Sequence, residues 1–294
     1  MRNKKQGIWA AVVFATLMVA AAAAHAQAPS PAPGTNPAPP AAGQQDKPAA
    51  PTVAPLTLDA GQPPVNAEED AAIKVYRDAP LSDIPKKLQI GDDFLKKYPS
   101  SRYRSEVYSW QVRGYMAVGQ IDKMEEAGEK ELELNSDDVQ TMAMMGSSMP
   151  RSVPNSMTAE QKAKMLTEAE GYSKKALEMA PTLPKPAGIT DEQFLQAKNQ
   201  IQAMAYAGLG LVAFRRGKYA DAIPNLEQSA KYDPNPDPVI FFVLGISNEK
   251  ASHFEDAVSA FTKCAAIDSS LATTCKTGIE EAKKLGATQL SVPK

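Results

Sequence analysis

The sequence predicts an all-α fold, a superhelix of about five helix-turn-helix hairpins closed by a C-terminal capping helix. Three observations predict it. From Ala67 onward apolar residues recur at helical spacing, with no strand-like alternation. Two stretches near the C-terminus repeat at an interval of 35 residues. Glycines and prolines punctuate the helical pattern at turns and helix ends. The 294 residues are 43% apolar and 22% charged, ample for a sizeable core. Lys and Arg number 32 against 34 Asp and Glu, a net charge of -2. A nucleic-acid partner is therefore not expected, because no basic excess is available to neutralise phosphates. With two His and two Cys in the whole chain, sites that spend several of either are excluded.

The first segment reads as an export signal. Arg2, Lys4 and Lys5 precede an almost wholly apolar run, Ile8 to Ala24, and Ala24-His25-Ala26 fits the small-x-small pattern cut after its last residue. Cleavage after Ala26 leaves a mature chain at -5 by removing three cations and no anion. The apolar run is 17 residues, the lower limit for spanning a bilayer, so a retained anchor is the alternative, and a membrane partner is expected only in that case. Either way the expected location is exported, periplasmic or cell envelope. Residues 27–66 hold 11 Pro and 9 Ala in 40 positions, a composition expected to form a disordered linker. It reads first as a passive spacer and second as a segment that contacts envelope partners.

The helical part spans 67–289, with 290–294 a tail. A first unit covers about Ala67–Tyr98, with Leu88, Phe94, Leu95 and Pro99 marking its second helix. A second carries Tyr108, Tyr115, Gly119, Ile121 and Leu132 to Asn135. Met145-Gly146 opens a third, whose second helix holds Ala169, Ala176-Leu177 and Pro181. Pro150 and Pro154 in the stretch Ser147–Thr158 predict an insertion that is not continuous helix. Thr158-Ala-Glu-Gln161 and Thr190-Asp-Glu-Gln193 are capping boxes, so an elongated helix starts at Thr190 and reaches roughly Arg216.

The repeat itself is clearest over 203–236 and 238–271. Tyr206, Leu209-Gly210, Tyr219, Ala222, Leu226 and Asp233 correspond to Phe241, Leu244-Gly245, Phe254, Ala257, Phe261 and Asp268. Gly210 and Gly245 are expected to let paired helices approach, with Ala222 and Ala257 opposite them; Gly217 permits the turn and Pro234 ends the second helix. Leu271–Leu285 reads as a terminal helix with a polar outer face, which solenoids need for solubility. The pattern resembles the tetratricopeptide-repeat (TPR) family, which implies a right-handed α-solenoid. The second unit departs from that family in carrying Met124 and Glu131 where alanines are expected.

No catalytic, cofactor or metal site is expected. His253 lies at the turn before a helix and Cys264 eleven residues on within it, roughly 16 Å away at the helical rise, too far for proton transfer. The doublets Asp92-Asp93, Glu125-Glu126, Asp137-Asp138 and Glu280-Glu281 are sequence neighbours that do not face each other on a helix. Met142, Met144, Met145, Met149, Met157 and Met165 could suit Cu(I), but their helical spacing favours a core face.

Function is then expected to lie in a binding surface rather than in chemistry, with a protein partner and no small-molecule substrate. In the family resembled, the first helix of each hairpin lines a concave groove. The candidate groove residues are Arg113, Met204, Leu211, Phe214, Val239, Phe242, Ile246 and Glu249, the second half being apolar and suited to an amphipathic helix or extended apolar segment. The alternative for each is packing against neighbouring helices. No Lys-Asn pair recurs at the positions where some family members clamp a carboxyl terminus. The expected function is a non-enzymatic interaction scaffold; the alternative is a structural or assembly component of the outer membrane or wall, tethered through the Pro-rich arm. Cys264, where the family has alanine, and Cys275, after a tight turn, are a candidate disulfide in an exported chain.

Overall fold

The computed structural model describes residues 66–154 and 156–290. The leader, nearly all of the Pro-rich linker and the last four residues of the tail lie outside them. Within the described residues the chain forms eleven α-helices and no strand. They pair in order: α1 (Ala67–Asp78) with α2 (Ile84–Lys97), α3 (Arg104–Ala117) with α4 (Ile121–Leu134), α5 (Val139–Ser152) with α6 (Ala159–Met179), α7 (Asp191–Arg215) with α8 (Tyr219–Tyr232), and α9 (Pro238–Lys250) with α10 (Phe254–Ala266). The terminal α11 (Ala272–Leu290) packs on the last pair. This is a TPR-like all-α solenoid of five hairpins and a capping helix.

Local chemistry sets the helix starts. Both capping boxes form: the Thr158 and Thr190 hydroxyls accept from the backbone N–H of Gln161 and Gln193, and the threonine backbone N–H groups donate in return to the glutamine side-chain oxygens. Asn66, Asp83, Asp138 and Asp237 cap α1, α2, α5 and α9 through side-chain oxygens. Three hairpin turns share one geometry. Gly119, Gly217 and Ser252 have φ of 74°, 73° and 63°, and the following amide bonds back to Tyr115, Ala213 and Asn248 in each case. The C-terminus of α1 is closed differently. Lys87, 4% exposed, reaches from α2 to donate to the carbonyls of Tyr76 at 2.9 Å and Ala79 at 3.1 Å. A cation suits a helix C-terminus, and burial holds the Lys87 pKa below its usual value.

The core is a chain of clusters. Leu88, Val112, Tyr115, Met124 and Leu166 join hairpins one to three, and Leu211, Leu226, Ile240 and Val243 join four to five. The methionines are core groups: Met144, Met145, Met149 and Met165 lie buried in the first cluster with Met157 against it, and Met142 in a neighbouring one. An unbranched thioether fills irregular space well.

Two sequence expectations need correction. The groups nearest Gly210 and Gly245 are Leu226 and Phe261 rather than Ala222 and Ala257. A Cβ on either would lie 2.6 Å from Leu226 or Phe261, one turn further along the second helix, while both alanines are simply buried. The stretch from Ser147 is also more helical than its prolines suggest, because α5 continues through Pro150 to Ser152. Pro150 stands in the last turn, so the one intrahelical bond it removes falls at the helix end, with only Arg151 and Ser152 still to follow. Its missing N–H leaves the Gly146 carbonyl without its helical donor, and the Gly208 backbone packs over that carbonyl. A Cβ on Gly208 would lie 2.6 Å from the Gly146 oxygen, so α5 and α7 meet backbone to backbone.

Candidate protein-binding groove

The first helices of the hairpins carry the candidate groove, and its two halves differ in chemistry. In the first half, side chains of successive first helices pair with one another. Arg77 on α1 forms a two-pronged ion pair with Glu106 on α3, at 2.8 and 2.6 Å. Ser109 donates to Asp138 at 3.0 Å, and Arg113 donates to Gln140 on α5 at 3.0 Å. Arg113 is half-buried and engaged within this polar ladder.

The second half is apolar. On α9 the residues Val239, Phe242, Ile246 and Glu249 recur every three or four positions and form one half-buried stripe. Ile240, Val243, Leu244, Ser247 and Asn248 occupy the buried side of the same helix. Val239 and Phe242 pack against two core clusters at once, and the Phe242 ring lies 6.2 Å from that of Phe261. On α7, Met204 and Phe214 are also half-buried, Phe214 meeting Tyr219 edge-on at 5.8 Å. Leu211 is a correction. It is 4% exposed and belongs to the core between α7, α8 and α9, so the groove on α7 is carried by Met204 and Phe214. Glu249 lies 3.8 Å from its neighbour Lys250.

A charged strap, absent from the sequence reading, sits between the halves. Arg151 in the last turn of α5 pairs with Asp237, the residue that caps α9, 86 positions away. Burial pushes the Asp237 carboxyl up, but Arg151 and the Val239 N–H outweigh it and hold it below the usual carboxylate range. Arg215 at the end of α7 donates to the carbonyl of Pro150 at 2.7 Å, closing the C-terminus of α5. Arg216 pairs with Glu170 on α6. These contacts tie hairpins three, four and five together at the edge of the apolar stripe. Asp237 was recognisable as a cap before Pro238, but nothing local in the sequence points to Arg151 as its partner.

The remaining singled-out residues fall outside the groove. His253 is exposed at the start of α10. Cys264 on α10 and Cys275 on α11 are fully buried, with Cα atoms 6.0 Å apart and their sulfurs joined. Among the described residues no helix is long and apolar enough to cross a membrane.

No protein-family model matches the sequence, and no match is found among curated proteins. Solved structures give likenesses of fold. A thermophilic TPR protein of Thermus thermophilus is 15% identical, covering 76% of this chain and 97% of its own, at a TM-score of 0.43. PilW, described as a widely conserved type IV pilus biogenesis factor, is 16% identical, covering 78% of this chain and 96% of its own, at 0.46.

Proposed function

We propose that the chain is a non-enzymatic scaffold that holds a segment of another protein against α7 and α9. The observation that carries this reading is the half-buried apolar stripe Val239, Phe242 and Ile246 on α9, with Phe214 packed on the same cluster as Val239 and Phe242 and half-buried Met204 further back along α7. Such a stripe offers area to an amphipathic helix or an extended apolar segment while its lower atoms remain packed in the core. The strap of Arg151 and Asp237 fixes hairpin five relative to hairpin three, so the stripe is presented on a preorganised surface. The leader and linker composition supports export to the periplasm or envelope, where the partner would be met.

The test is capture of envelope proteins by the full mature chain, compared with Phe214→Ser/Phe242→Ser. Capture should fall by roughly tenfold or more, the loss typical of removing two aromatic anchors. Leu195→Ser is the control. Leu195 is exposed and nine residues from Met204, two and a half helical turns, which places it on the opposite side of α7. Far-UV circular dichroism keeps the result interpretable. Undiminished capture by the folded double variant overturns the groove, and collapse of helix content shows that the two rings serve the core. Protein recovered from the envelope should begin at Gln27.

A further inference from the structure

Glu131 is the least ordinary charged residue in the molecule. It stands on α4 at a position where a repeat of this kind takes a small residue, and it is 1% exposed. One carboxyl oxygen accepts from the Ser105 hydroxyl on α3 at 2.8 Å; the other, Oε2, is buried with no hydrogen-bond partner among the described residues. The charged groups acting on it come from both elements packed against the end of α4. Arg113 on α3 attracts the anion from a distance, and Asp138, the cap of α5, repels it. Asp138 already accepts from Ser109 and Thr141, so it cannot turn away without uncapping α5.

A lone carboxylate in that position carries a desolvation cost that no ion pair offsets. We propose that the junction between the second and third hairpins is closed by a proton on Glu131, and that loss of this proton loosens it. This inference stands independently of the groove reading. Desolvation is the largest influence, opposed by Ser105 and reinforced by Asp138, with smaller help to the anion from Asn135 and Arg113. The balance pushes the carboxyl from 4.5 up to about 7. The folded state therefore binds the proton more tightly than the unfolded chain. Stability is unaffected below about pH 4.5, falls as pH rises between 4.5 and about 7, and stays at its lowered level above that. The neutral form of the side chain has the shape of glutamine, so Glu131→Gln mimics the closed state at every pH.

The experiment follows the melting temperature of the full chain and of Glu131→Gln from about pH 5 to about pH 8. The two should nearly coincide at the acid end and separate by roughly 5 °C or more at the alkaline end, the variant being the more stable. Amide exchange should rise in the wild type over residues 131–141 across the same range, and not in the variant. Parallel melting profiles would overturn the proposal. If the variant does not fold, carboxyl-carbon NMR of the wild type decides: a Glu131 midpoint near 7 supports the proton lock, and one near 4.5 overturns it.

Discussion

At the scale of the residue, Ser252 shows how a repeat tolerates a substitution its geometry resists. Gly119, Gly217 and Ser252 occupy the same place after the first helix of their hairpins, each in the left-handed region and each preceding the amide that bonds back into that helix. Glycine adopts that conformation without steric penalty, whereas a Cβ there costs about 1–2 kcal/mol. Set against the greater entropy glycine loses on folding, about 0.5–1 kcal/mol, a modest gain remains. Ser252→Gly should stabilise the protein by about 0.5 kcal/mol, read as a raised urea midpoint with unchanged slope. An unchanged or lowered midpoint would show that the Ser252 side chain makes a contribution of its own. The 35-residue repeat aligns Ser252 with Gly217, so this site is legible in the sequence once the turn is recognised. Glu131 is legible only in part: its place against an expected alanine signals an anomaly, but its orphaned oxygen and its neighbour Asp138 depend on how three helices converge.

At the scale of the element, caps and periodicity were readable because they are local. Both threonine capping boxes, the elongated α7 and the terminal α11 follow from residues within one or two turns of each boundary. Contacts between elements were less readable. Leu226 and Phe261, rather than the alanines a turn earlier, lie nearest the glycines of the first helix, because pairing register depends on crossing geometry. Pro150 marks the approach to the end of α5 rather than its interruption, since the one bond it removes lies in the last turn and only two helical residues follow. The join of α10 to α11 is where an element-scale prediction has most leverage. The end of a solenoid has a neighbour on one side alone, and α11 is held by Leu271, Ala282 and the Cys264–Cys275 contact. A bridge closing this short loop restricts the unfolded chain by roughly 2–3 kcal/mol on the entropy model. Replacing both cysteines by alanine should therefore lower stability by about that amount and increase amide exchange along α11 first. Mass spectrometry of unreduced exported protein checks the premise, and two alkylatable thiols after denaturation would remove it.

At the scale of the whole molecule, the question is whether the helical array depends on the segment that precedes it. Its first hairpin is secured from within. Asp70 accepts from Arg102 at 2.9 Å and from Tyr103 at 2.6 Å, Glu69 accepts from Ser101 at 2.6 Å, Arg77 pairs with Glu106, and Lys87 closes the far end of α1. Arg102 and Tyr103 precede α3, so α1 is fastened to the second hairpin as well as to its own partner. Ile73 and Tyr76 complete this with apolar burial against Phe94 and Val107. The array needs one residue from the preceding stretch, Asn66, whose side chain accepts from the Glu68 amide at 2.9 Å and caps α1. Two deletions that differ by a single residue then have different expected outcomes. Removing residues 27–65 should leave the melting temperature of the mature chain essentially unchanged. Removing 27–66 takes the cap as well, at a cost of about 1 kcal/mol, and should lower it by roughly 2–4 °C. Differential scanning calorimetry of the two chains measures the comparison directly. A fall of several degrees already in the shorter deletion would mean that the Pro-rich segment packs against the helices.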